Sequence, residues 1–203
     1  MKYLLFTLPR ILLVPLILLV PSTAPSMPNA TASTQADCGH WRWPVKTGSD
    51  ADRFKVTATP QVTKIKYLST RAVPSNLESL WAQNHRVSWV ERRTWELRHT
   101  TLVKTRLQPD GDIHLILANA AGKTMIAEIP KPTCVPDHSL WKTQITKARH
   151  YLTARYPAST TWTIVNRPVD IQGLGFFDSL HGQAEAADNG IELHPGTELK
   201  FLS

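Results

Sequence analysis

The stretch that most constrains this chain is residues 110–134, DGDIHLILANAAGKTMIAEIPKPTC. Ile113, Leu115 and Leu117 alternate with His114, Ile116 and Ala118, the period of a strand with one face in a core. Residues 119–122, NAAG, supply turn chemistry. Met125, Ala127 and Ile129 then alternate with Thr124, Ile126 and Glu128. A hairpin closing about Ala121 sets Ala118 opposite Thr124 and His114 opposite Glu128. Cross-strand partners share a face, so the pattern predicts a His–Glu pair on one side of a sheet. A slip of one residue would break it.

The flanks extend the same architecture. Trp95, Leu97, His99, Thr101, Val103, Thr105 and Leu107 alternate as one long strand face, and Pro109-Asp110-Gly111 is the turn into the hairpin. Upstream, Phe54, Val56 and Ala58 suggest a short strand ended by Pro60, residues 62–68 a second run, and Leu77, Leu80 and Trp81 a turn of helix. After Pro130 and Pro132 the period changes. Trp141, Ile145, Ala148 and Leu152 fall at helical spacing, with Asp137 or Ser139 as N-cap and Pro157 beyond the end. Trp162 and Ile164 begin another strand, which Val169 and Ile171 continue. Gly173 and Gly175 suit a bulge or a close backbone approach, and Ile191 and Leu193 start the last strand.

Three strands, a helix and then two or three strands is the order of the five-stranded Greek-key OB barrel. The expected class is therefore mainly β (α+β). The expected fold is an OB-like barrel at 94–203, with the helix between barrel strands 3 and 4. It is preceded by an N-terminal extension at 33–93. A β-sandwich with one helix is the other arrangement that fits.

Residues 1–32 read as an export signal. Lys2 and Arg10 carry positive charge, residues 11–20 are apolar except for Pro15, and Ala30-Thr31-Ala32 offers a cleavage site, with Ser22-Thr23-Ala24 as a second. The run is shorter than the ~20 apolar residues of a spanning helix, so no membrane span is expected in the mature chain. The residues before Cys38 do not form a lipoprotein signal, which predicts an exported protein in the periplasm or outside the cell. Two cysteines in an exported chain imply one disulfide, Cys38–Cys134, tying the extension to the barrel. Closing so long a loop contributes about 4–5 kcal/mol in the chain-entropy model. The formal charge is +7 and falls by two when Lys2 and Arg10 leave. The partners such a charge admits are an anionic polymer or a protein ligand. Its basic residues are scattered, with no tract that marks a nucleic-acid groove.

Five blocks resemble an uncharacterised family of exported bacterial proteins: HWRWPVKTGSDAD (40–52), DGDIHLIL (110–117), KTMIAEIPKPTC (123–134), GLGFFDSLHGQ (173–183) and NGIELHP (189–195). This resemblance implies export and the disulfide and carries no activity with it. A second resemblance, to staphylococcal-nuclease-like barrels, rests on Asp110-Gly111-Asp112 before a strand, on the strand order and on the basic charge. It implies carboxylate-bound calcium and phosphodiester chemistry. The stretch equivalent to that family's arginine-bearing segment, residues 125–130, has no arginine.

The polar residues able to carry chemistry are Asp112, His114, Glu128, Asp178, His181, Glu192 and His194. Asp178 and His181 stand three apart, and Glu192 and His194 share a strand face. Histidine beside carboxylate binds a divalent metal or divides acid and base roles. His181 and His194 are the candidate metal ligands, and the two are expected to face one polar pocket with Asp178 or Glu192 as partner. The plainer alternative is that these side chains hold loops in place. No H-E-x-x-H, G-x-S-x-G or phosphate-binding glycine loop occurs. Two classes of function follow. One is a non-catalytic OB-like binding module. The other is a metal-assisted, phosphodiesterase-like hydrolase.

Overall fold

The computed structural model describes residues 38–75, 84–180 and 182–203. Residues 1–32, expected to be an export signal, the expected turn at Leu77, Leu80 and Trp81, and His181 lie outside the described residues. Six strands follow in chain order: β1 (Thr57–Thr63), β2 (Arg93–Leu107), β3 (Ile113–Ala118), β4 (Thr124–Ile129), β5 (Thr163–Phe177) and β6 (Ile191–Phe201). Helical segments are α1 (Trp43–Lys46), α2 (Ile65–Leu68) and α3 (Lys142–Thr153).

The sheet runs β1-β2-β3-β4-β6-β5, and β5 also pairs with β2. That extra pairing closes β2, β3, β4, β6 and β5 into a ring. It is the OB-like Greek-key barrel, with β4 and β6 parallel and the other ring pairs antiparallel. β1 lies outside the ring, parallel to β2. Closure needs long strands that bend. β2 and β5 are each 15 residues long. β2 carries register shifts between Leu97 and Thr100 and between Leu102 and Lys104, where bulges add local twist.

Those bulges correct the expected phase of β2. His99 has φ of 51°, and beyond it Leu102 is buried while Thr101 and Val103 are only half-covered. A left-handed residue inside a strand inverts which side chains face inward. In β5 Ile164 is exposed and Val165 is the buried residue, on the same face as Val169 and Ile171 further along. The expected strand over Phe54–Ala58 starts instead at Thr57 and passes through Pro60, an edge position where proline is tolerated. Residues 65–68 form α2 rather than more strand.

The hairpin register pairs Ala118 with Thr124 and His114 with Glu128. Ile113, Leu115, Leu117, Met125, Ala127 and Ile129 point into the barrel core. α3 packs against β6, and Trp141, Ile145, Ala148 and Leu152 are all buried. No side chain caps α3. Ser139 Oγ instead accepts the Trp141 backbone N–H at 3.2 Å, one turn early. Gly173 and Gly175 permit close crossings. A Cβ on Gly173 would stand 2.8 Å from the Leu193 Cβ, and one on Gly175 would stand 2.5 Å from the Val90 carbonyl oxygen.

Cys38 and Cys134 form the disulfide across a sequence separation of 96. The Trp43 indole N–H donates to the Cys134 carbonyl at 3.1 Å. The extension is thereby held over the outer face of β3, β4 and β6. No helix among the described residues is long and apolar enough to cross a membrane.

Candidate functional site

The pleat sends Leu193 and Ile191 into the core and Glu192 and His194 to the outer face of β6. β6 lies parallel to β4 with Ile126 opposite Glu192, which brings His194 alongside Glu128. The hairpin places His114 on the far side of Glu128. Asp112, the last residue of the turn before β3, completes the group. An outer sheet face is normally wet. Here the extension covers it, and His194 and Asp112 are fully buried, with Glu192, His114 and Glu128 nearly so.

His194 stands at the centre. Its Nδ1 lies 3.0 Å from Glu192 Oε1, as a hydrogen bond, and 3.1 Å from Glu128 Oε2. Its Nε2 lies 3.1 Å from Asp112 Oδ2. That last contact has the distance of an ion pair but not the angles of a hydrogen bond, and neither atom has a hydrogen-bond partner. The other oxygens are engaged. The Lys131 backbone N–H donates to Asp112 Oδ1 at 3.3 Å, and Glu128 Oε1 is 2.6 Å from His114 Nδ1. The His194 ring also lies against Phe176, with centroids 5.6 Å apart.

The electrostatics follow from three carboxylates around one imidazole. Burial alone would lower the His194 pKa, but Asp112, Glu128 and Glu192 together outweigh it and hold it well above the ordinary value. Burial pushes Glu192 up to about 7, with the Glu128 and Asp178 charges adding to the effect. Burial likewise raises Asp112. Burial acts the same way on Glu128, but both histidines and Lys46 overcome it and hold this carboxyl well below the usual range. Lys46 is raised: burial opposes its charge, and Asp178, Glu192 and Glu128 outweigh that. The group carries more carboxylate than it has cations to balance it.

Beside this cluster a cavity of about 700 Å³ opens between the β2–β3 loop and the β5–β6 loop. Its wall includes Lys46, Arg106, His114, Glu128, Trp162 and Asp178. Glu128 therefore belongs to both the buried cluster and the cavity. Lys104 Nζ and the Arg106 guanidinium carbon sit 4.3 and 4.5 Å from the Trp162 ring centroid. Trp162 is thus a cavity wall rather than the core residue that its strand pattern suggested.

Among the predicted site residues, the structure joins His114, Glu128, Glu192 and His194 in one network. Asp178 is not a partner of His194; its Oδ2 is 3.3 Å from Lys46 Nζ. His194 is fully buried behind Glu128, and the His181 expected beside it lies outside the described residues. Asp112, one of the polar residues weighed from the sequence but not placed in the expected pocket, enters as a full member of the cluster. Lys46 carried no signal in the sequence. Asp112, Glu128 and His194 each offer an atom within 4.8 Å of the others, close enough to share a metal ion.

No family model matches the chain, and no curated protein matches it.

Proposed function

We propose that this protein is the exported binding module its sequence suggests, and that it holds an anionic oligomer in the cavity between the β2–β3 and β5–β6 loops. The observation that carries this reading is Arg106. Among the described residues no carboxylate pairs with it, yet it is held over Trp162 in the cavity wall. Lys104 beside it is tied to Glu185 at 2.6 Å, and Lys46 to Asp178. Arg106 is the cation left for a ligand, and a guanidinium pre-oriented on an aromatic face suits phosphate, sulfate or carboxylate. The location agrees, because OB barrels take oligomers on this face between these two loops. The blocks noted for their resemblance to exported proteins also carry the cluster and part of the cavity wall, which supports reading them as one binding region.

The test is a titration with a sulfated oligosaccharide and with a short oligothymidylate, followed by tryptophan fluorescence. Binding should weaken with salt, as counterion release requires, and Arg106→Ala should weaken it about tenfold or more. A neutral oligosaccharide should not bind. Equal affinity in Arg106→Ala would contradict the reading.

A second reading, metal-assisted hydrolysis of a phosphodiester, is favoured by Glu128 alone, which links the cavity to a cluster with metal-ligand chemistry. A chromogenic phosphodiester turned over by the wild type and not by Glu128→Gln would support it.

A further inference from the structure

We propose that Asp112, Glu128 and His194 form a binding site for a divalent first-row metal ion, with Glu192 as the positioning partner of the His194 ring. The inference stands apart from anion binding at Arg106, and either can fail without the other.

Three observations converge on it. The ligand atoms of the three residues lie within 4.8 Å of one another. Asp112 Oδ2 and His194 Nε2 are both fully buried and both lack a hydrogen bond. They face each other at 3.1 Å, close to the ~3 Å that separates neighbouring ligand atoms around an ion with bonds of ~2.1 Å. A buried donor–acceptor pair that close would ordinarily turn to make the bond. Finally, the Nδ1 of the same ring is hydrogen-bonded to Glu192 Oε1 at 3.0 Å. Metal-binding histidines use their second nitrogen in this way, donating to a carboxylate that fixes the tautomer and strengthens the ligand.

The charge and the ligand types narrow the ion. Two carboxylates and a neutral imidazole balance a dication. One nitrogen and two oxygens suit Zn²⁺ or Mn²⁺ better than Ca²⁺, which takes six to eight oxygens. Glu128 in the cavity wall provides the route by which the ion and any further ligand arrive.

The opposing arrangement is a fixed imidazolium that ties three carboxylates together and binds nothing. The experiment separates the two with metal alone. The purified protein is stripped with chelator and titrated with Zn²⁺ by calorimetry, with stoichiometry read by native mass spectrometry. One ion per chain is expected. Asp112→Asn should abolish the tight site, and Glu192→Gln should keep the stoichiometry while weakening affinity about ten- to hundredfold. Because a variant can fail to fold, the wild type is also titrated with Mn²⁺ and followed by histidine side-chain NMR. The His194 resonances should broaden first. A folded, stripped wild type that takes up no ion overturns the proposal, and so does binding that leaves His194 sharp or is unchanged in Asp112→Asn.

Discussion

Among the described residues, two clusters of buried charge are built on opposite principles. In the first, Arg42 and Arg86 meet Glu91 and Asp50. Arg42 donates through Nη1 and Nη2 to the two oxygens of Glu91 at 2.9 and 2.8 Å, and Arg86 Nη2 donates to Asp50 Oδ2 at 2.8 Å. The backbone N–H groups of Val87 and Phe177 complete Glu91, and that of Asp52 completes Asp50. Two cations face two anions, every carboxylate oxygen is engaged, and only the two Nε atoms of the arginines are without partners. In the second cluster three carboxylates surround His194, and two facing atoms are left without bonds. A buried charge must be matched or it is costly. The first group is balanced in charge, and its unpartnered atoms are the two arginine Nε donors. In the second an unpartnered carboxylate oxygen and an unpartnered imidazole nitrogen face each other at 3.1 Å, which is why it reads as a site.

The comparison is most easily broken at Glu91. Glu91→Gln leaves Arg42 buried without a counter-charge and should cost about 3–5 kcal/mol in urea unfolding. A loss under ~0.5 kcal/mol, the scale of a surface change, would mean that the first cluster does not hold the extension to the barrel. Removing the disulfide comes next. Cys38→Ser with Cys134→Ser should cost about 2–5 kcal/mol. Because the extension covers the outer face, the same change should make the His194 cluster accessible, seen as faster hydrogen exchange in β6. Unchanged exchange there would show that the cover stays in place without its covalent tie.

The smallest effect is at the rim of the balanced cluster. Asp52 has a lowered pKa, chiefly through its bond with Lys55, while burial opposes the shift. A carboxylate whose folded pKa lies below its unfolded value contributes stability above the unfolded value. That contribution disappears as pH falls through the folded one. Stability should therefore drop below the ordinary pKa of 3.8, and Asp52→Asn should flatten that part of the pH profile. An unaltered slope would remove Asp52 from the account.

Much of the barrel was readable because its signals are local. Four turn residues and two alternating runs fix the hairpin register, and with it the His114–Glu128 pair. The α3 face follows from four apolar side chains at helical spacing, and the disulfide from a count of two. Strand phase past His99 was not readable. A positive φ at a histidine leaves no mark in the apolar pattern, so Leu102 turned inward unannounced. The site divides in the same way. Glu192 and His194 share a face by simple alternation, but their approach to Glu128 depends on β4 and β6 pairing across the intervening helix and β5. Arg42 and Glu91 are 49 residues apart and Arg86 and Asp50 are 36 apart, and no periodicity links such positions.

The central claim, that one cluster is finished and the other awaits a cation, is tested most directly by neutralising one carboxylate in each. In chelator-treated protein, the unfolding free energies of Asp50→Asn and Asp112→Asn are measured side by side. Asp50→Asn should lose about 3–5 kcal/mol, because Arg86 remains buried and unmatched. Asp112→Asn should stay within ~0.5 kcal/mol of the wild type or exceed it, because it removes an excess charge and gives His194 Nε2 an amide to meet. An Asp112→Asn loss as large as that of Asp50→Asn would contradict the claim and make His194 a fixed imidazolium staple.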